Sequence, residues 1–91
     1  MNTHITPNAQ PLYTFQNRAG DFIDVLARAE YQGESVDLTR TDNRNHLQYC
    51  VSGTETASRY FHALADAVAA FDAQRLVTLA AKFGTYEFAT R

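Results

Sequence analysis

Apolar and polar residues alternate along four stretches of this chain and recur at helical spacing along two others. Leu12 to Asn17 alternates, with Tyr13 and Phe15 on one side and Thr14 and Gln16 on the other, the period-two signature of a strand. From Ser35 to Arg40, Val36 and Leu38 alternate with Asp37 and Thr39. After the Asx-rich turn Thr41-Asp42-Asn43-Arg44-Asn45, residues His46 to Ser52 alternate again, with Leu47, Tyr49 and Val51 on one face. These two stretches predict a hairpin. Thr85 to Thr90 alternates once more, with Tyr86 and Phe88 on one side, and predicts a short last strand.

Between the first two strands, Phe22, Val25, Leu26 and Ala29 recur at helical spacing. Asp21 suits an N-cap, Asp24 would sit near the positive end of the helix dipole, and Gly33 stands where a C′ glycine belongs. The spacing predicts a helix over 22–32. The same residues also fit a strand from Ile23 to Tyr31 that turns at Gln32-Gly33-Glu34. In the second helical stretch Tyr60, Phe61, Leu64, Val68 and Phe71 share about one third of a helix circumference. Leu76, Leu79 and Phe83 lie about a quarter turn away from them. A straight helix over 57–83 would be about 40 Å long and would carry its apolar stripe off the core. A break near Asp72–Gln74 is therefore expected, with Asp72 as a second N-cap.

Both prolines, Pro7 and Pro11, fall in the polar and aperiodic opening segment, so residues 1–11 are expected to form a disordered arm. Residues 12–91 are expected to form a single α+β domain. The order strand, helix, strand, strand, helix, strand is the ferredoxin-like βαββαβ arrangement, an antiparallel sheet covered on one face by helices. Tyr13, Phe15, Val36, Leu38, Leu47, Tyr49, Val51, Tyr86 and Phe88 would then face those helices. The alternative is an antiparallel meander that takes residues 23–31 as a strand, with C-terminal helices on one face.

Composition narrows the function classes. The chain has 91 residues, 45% apolar, with eight basic and ten acidic side chains and a net charge of −2. That balance lacks the basic excess that phosphate binding needs and the dense acidity of a DNA mimic. A lone cysteine, Cys50, excludes an internal disulfide and a CxxC motif. No stretch has the length and apolarity of a membrane span, and the opening residues carry neither a basic cluster nor an apolar run of signal-peptide length. A cytoplasmic location is the expectation.

Catalytic and metal-binding patterns are weak. His46 and Cys50 share a strand face but lie about 13 Å apart along an extended chain, too far for a nucleophile–base pair. His62 and Asp66 have the i, i+4 spacing of two metal ligands, with Arg59 beside them and no third ligand in view. A solvated, salt-linked helix face accounts for them. Glycine-rich phosphate loops, GxSxG and HExxH are absent, and no cofactor or metal is expected. Acid–base pairing among Asp21, Asp24, Asp37 and Glu87 depends on spatial placement, which leaves a small enzyme as one alternative.

The segment His46-Leu47-Gln48-Tyr49-Cys50-Val51 partly resembles the third strand of the RNA-recognition motif, which implies RNA binding as a second alternative. It lacks the basic-Gly opening and two of that strand's three aromatics. Its Tyr49 also shares a side with Leu47 and Val51, the expected core side. The open face would be polar and without stacking rings. Phe15 or Tyr49 bare on that face would reopen the case for nucleic acid and weaken that for a protein target.

The hairpin tip remains. Arg40, Asp42, Asn43, Arg44 and His46 are dense in hydrogen-bonding groups suited to recognition. The expected function is a non-enzymatic protein-binding module with these residues as its contact loop, a host protein complex as its partner, and a homodimer as a further possibility. In its size and lack of motifs the chain resembles the small inhibitors that phages and other mobile elements carry against host defences, anti-CRISPR proteins among them. That resemblance implies inhibition by occluding a partner's surface.

Overall fold

In a computed structural model, residues 3–31, 33–43, 46–54, 56–79 and 85–88 are described. The elements are β1 (Tyr13–Gln16), β2 (Phe22–Tyr31), β3 (Glu34–Asn43), β4 (His46–Gly53), β5 (Arg59–Phe61), α1 (Leu64–Leu79) and β6 (Thr85–Phe88). Strands β1 to β5 lie side by side in chain order as an antiparallel sheet, and β6 also pairs with β2. The ferredoxin-like arrangement is thus overturned. The fold is the antiparallel meander, with one described helix packed against it.

Residues 22–31, expected to be helical, are the central strand. A bulge explains why their pattern misleads. Val25 pairs with Thr39 but Ala27 pairs with Leu38, so Leu26 is an extra residue and the side-chain alternation inverts across it. Ile23 and Val25 face one side of the sheet, whereas Ala27 and Ala29 face the other. Leu26 joins them in the core. An interrupted period of two leaves apolar residues three and four apart, which imitates a helix. At the far end Tyr31 pairs with Glu34, and Gly33 takes φ +85°, a conformation L side chains rarely adopt, to close the tight turn.

The bulge divides one edge of β2 between two partners. Residues 22–25 pair with β1, and 27–30 pair with β6. Asp21, expected as a helix cap, instead closes the β1–β2 turn. Its N–H donates to Asn17 Oδ1 (2.9 Å), and Asn17 N–H donates to the Asp21 carbonyl (2.9 Å).

The expected hairpin forms, in register from Val36↔Gly53 to Asn43↔His46, but β3 runs on through Thr41, Asp42 and Asn43, residues expected in the turn. Gly53 is required there. A Cβ at this position would lie 2.1 Å from the Ser35 carbonyl oxygen, a backbone atom with no freedom to yield.

Helix α1 starts later than predicted, because Tyr60 and Phe61 belong to β5. Leu64, Ala67, Val68 and Phe71 then form its inward stripe, with Ala67 and Phe71 fully buried. The expected break at 72–74 is absent, since the helix runs through those positions. Its stripe does leave the sheet as the wheel implies, and Leu76 and Val77 are 61% and 70% exposed. With only two turns to bury, the chain leaves them in water without breaking.

The opening segment, expected to be disordered, packs over the core in the described region. Ile5 and Ala9 belong to the core cluster. Asp72, expected as a cap, lies inside α1 and accepts from Thr3 N–H (3.1 Å), from the Thr3 hydroxyl and from Arg75 Nε (3.1 Å). Substituting Gly53→Ala should cost more than the ~1 kcal/mol typical of a point mutation, because strand or turn must shift. Urea denaturation checks this, and an unchanged midpoint would contradict it.

Candidate functional site

The hairpin-tip residues are not brought together as one contact loop. Arg40 belongs to the body of β3. Its Nε and Nη2 donate to Asp24 Oδ2 at 3.1 and 2.9 Å, and its Nη1 donates to the Pro7 carbonyl at 2.8 Å. Thr14 also donates its hydroxyl to Asp24 (2.7 Å). Arg40 therefore links β1, β2, β3 and the opening segment. Asp42 is exposed on β3 opposite Leu47, which is itself exposed. Asn43 and His46 form the last backbone pair of the hairpin, and their side chains lie outside the described residues, as does all of Arg44.

The other singled-out residues are equally scattered. His62 sits in the bend before α1 and Asp66 in its first turn, so they no longer share a helical i, i+4 face. Among the described residues no group of three metal-ligating side chains occurs. Arg59 is held on β5, with its guanidinium 5.3 Å from the centre of the Phe61 ring. Asp24, one of the four candidate acids, is committed to Arg40.

Asp37 is the titratable carboxylate whose environment acts on it most visibly. It pairs with Arg28 (3.0 Å) on the sheet face away from the helix, and Arg28 also holds Glu30 (2.7 Å). Burial pushes the Asp37 carboxyl above its ordinary value, more strongly than Arg28 pulls it down.

One side of the sheet is left uncovered by the described residues, and it is there that a site is assembled. Register places Phe15, Ile23, Thr41 and Gln48 in one row across the strands, and Thr39, Cys50 and Tyr60 in the next. Core residues Leu38, Tyr49 and Val51 alternate with them and face α1. Phe15 is 45% exposed and Tyr60 64% exposed, one on each margin of the sheet. Between them lies a concavity of about 360 Å³, lined also by Asn17, Asp21, Thr39, Thr41, Gln48, Cys50, Ser52 and Ser58. That volume is within the ~300–1,000 Å³ of small-molecule sites, although this one is open.

This placement corrects the expected phase of the first strand. Tyr49 is 3% exposed, as an inward tyrosine should be, but Tyr13 and Phe15 turn outward. They pair with the half of β2 before the bulge, where the alternation is opposite to that of the hairpin core. The open face is therefore not ring-free. Sequence reasoning missed Phe15, Tyr60 and Asp21 as a group because β1, β5 and the 17–21 turn meet only across the folded sheet. Alternation was the available signal, and the bulge inverted it.

Comparison with known protein families, curated proteins and solved structures finds no match.

Arg40→Glu, which places a carboxylate against Asp24, should lower stability by about 2–3 kcal/mol. A thermal melt checks this, and an unaltered Tm would return Arg40 to the candidate contact residues. The raised Asp37 carboxyl has a defined sign as well. Its folded state holds a proton that the unfolded chain has lost, so its contribution is fully present below the ordinary value of 3.8 and is lost as pH rises through the folded value. Asp37→Asn should flatten this fall in stability just above pH 3.8, measured as urea midpoint against pH.

Proposed function

We propose that this chain is a non-enzymatic binding module that recognises a protein surface with the open face of its sheet. The observation that carries the reading is the composition of that face. Exposed rings stand at its margins, and hydroxyl and amide side chains form its floor. Protein interfaces combine aromatic anchors with hydrogen-bonding groups and a shortage of charge at their centre. The concavity offers groups for stacking and hydrogen bonding, with Asp21 as the single carboxylate among its described lining residues.

Phe15 on the open face reopens nucleic acid, and stacking rings alone would favour it. Charge argues the other way. Among the described residues no lysine or arginine lines the concavity, and the neighbouring Arg28 is held by Glu30 and Asp37. Arg18, exposed in the Asn17–Asp21 turn, is one cation at the rim, whereas counter-charge from several basic groups supplies most of nucleic-acid affinity.

Five strands at ~4.8 Å spacing and about 20 Å of strand length give a face of roughly 500 Å². A standard interface buries about 800 Å² per partner, so the contact would extend onto the Asn17–Asp21 turn. Occlusion of a partner's working surface is the mode of action such a face suits. An inhibitor of a host defence complex, carried by a mobile element, is one role of that kind, and small size and lack of motifs are its whole support.

The test compares tagged wild-type chain, the Phe15→Ser/Tyr60→Ser double variant and an Ala73→Glu variant on the exposed side of α1. Each is incubated with nuclease-treated extract of its native cells, and retained proteins are identified by mass spectrometry. A protein held by wild type and Ala73→Glu but lost from the double variant is the expected result. Equal retention by all three, or retention only when nuclease is omitted, overturns the reading.

A further inference from the structure

Asp21 is the feature of the open face that a general protein-docking role leaves unused. Its backbone N–H and carbonyl are both bonded to Asn17, which holds the residue in place at the rim. Its carboxylate makes no hydrogen bond or ion pair among the described residues. Three carboxylates of the sheet are committed: Asp24 to Arg40, and Asp37 and Glu30 to Arg28. Asp21, its backbone held and its carboxylate unpaired, thus lines the same concavity as two exposed rings, with no cationic side chain among the described lining residues.

We propose that this concavity takes the guanidinium of an arginine presented by the partner protein. The inference rests on the open-face reading and adds the chemistry of the contact. A guanidinium is planar and carries five N–H donors, so it can stack on an aromatic ring while its edge donates to a carboxylate and to neutral oxygens. Tyr60 and Phe15 supply rings, which attract a cation over their faces. Asp21 supplies the charged acceptor. Gln48, Ser52 and Ser58 supply neutral oxygens on the floor, and none of these three makes a side-chain hydrogen bond within the described residues.

Charge distinguishes this occupant from its rivals. Within the described lining an anion would meet Asp21 and no cation, since Arg18 of the same turn is exposed but lies outside that lining. A purely apolar side chain would strip water from the Asp21, Asn17 and Gln48 groups without replacing their hydrogen bonds. A neutral polar ligand would use the floor and leave the carboxylate idle. The Arg28–Glu30–Asp37 cluster lies on the same face and carries one more negative than positive charge, which adds to the attraction for a cation.

The experiment is an NMR titration of the full chain with a blocked Gly-Arg-Gly peptide and with the same peptide carrying citrulline, the neutral isostere of arginine. The arginine peptide should bind in the millimolar range and shift the resonances of Phe15, Asp21 and Tyr60. Asp21→Asn, which keeps the shape of the turn residue, should weaken it by about tenfold. The citrulline peptide should bind wild type no better than the arginine peptide binds Asp21→Asn. Equal binding of the two peptides, or an unchanged affinity in Asp21→Asn, overturns the proposal in favour of neutral recognition. Absence of shifts with either peptide also overturns it. In that event a cellular protein still lost from the Phe15→Ser/Tyr60→Ser variant, and retained by Asp21→Asn, keeps the open-face reading standing without the arginine.

Discussion

The extra residue at Leu26 governs how this sheet divides its side chains between core and solvent. Before it, Ile23 and Val25 face away from α1; after it, Ala27 and Ala29 face toward it. A regular strand would have sent both halves the same way. Because β1 pairs with the first half and β6 with the second, the two strands inherit opposite phases from one neighbour. Tyr13 and Phe15 are delivered to the open side as a direct consequence. A candidate recognition surface thus follows from a single inserted residue in a central strand, the kind of re-aiming that bulges produce.

Coverage of the other side is set by helix length. Sixteen residues make α1 about 24 Å long and about 10 Å across, too narrow to roof five strands spaced ~4.8 Å apart. The opening segment fills part of the gap with Ile5 and Ala9, and the fold binds it at two points. Asp72 accepts from Thr3 at one end, and Arg40 donates to the Pro7 carbonyl further along. Arg40 can serve because Asp24 already neutralises it on the same face. An arginine that sequence reasoning assigns to recognition is therefore occupied in holding the architecture. Its hydrogen-bonding capacity is spent inside the molecule.

The hairpin of residues 34–53 was legible because nothing interrupts its alternation: Val36, Leu38, Tyr49 and Val51 all bury, Leu47 of the same side stays exposed near the hairpin end, and Asp37, Thr39, Gln48 and Cys50 all face outward. Local pattern and tertiary environment agree there. They disagree at residues 22–31, where the bulge turns a two-residue period into apolar spacings of three and four. Asp21 and Gly33 compounded the error, since an Asx residue and a glycine punctuate a tight turn as readily as a helix end. The helix start was displaced for a related reason. Tyr60 and Phe61 fit the wheel of α1, yet their pairing with Cys50 and Tyr49 completes the sheet. The open-face site was beyond the reach of local pattern altogether, because Phe15, Asp21 and Tyr60 come from three segments joined only by register.

A sheet face that the described residues leave uncovered has to be compatible with water before any partner arrives, and the floor of this one is. Thr39, Thr41, Gln48 and Ser52 supply strand-compatible backbone preferences or solvated polar ends in place of a second apolar layer. The outer strands are short, four residues each in β1 and β6 and three in β5, which limits the length of unpaired backbone open to strand addition. Selectivity for a partner then cannot come mainly from ladder hydrogen bonds along an edge. It has to come from side chains on the face, and rings at the margins around a solvated centre favour a partner that brings its own polar group to that centre. A flat apolar surface would bury the floor hydroxyls unsatisfied, so the same composition that keeps the face soluble also sets what it accepts.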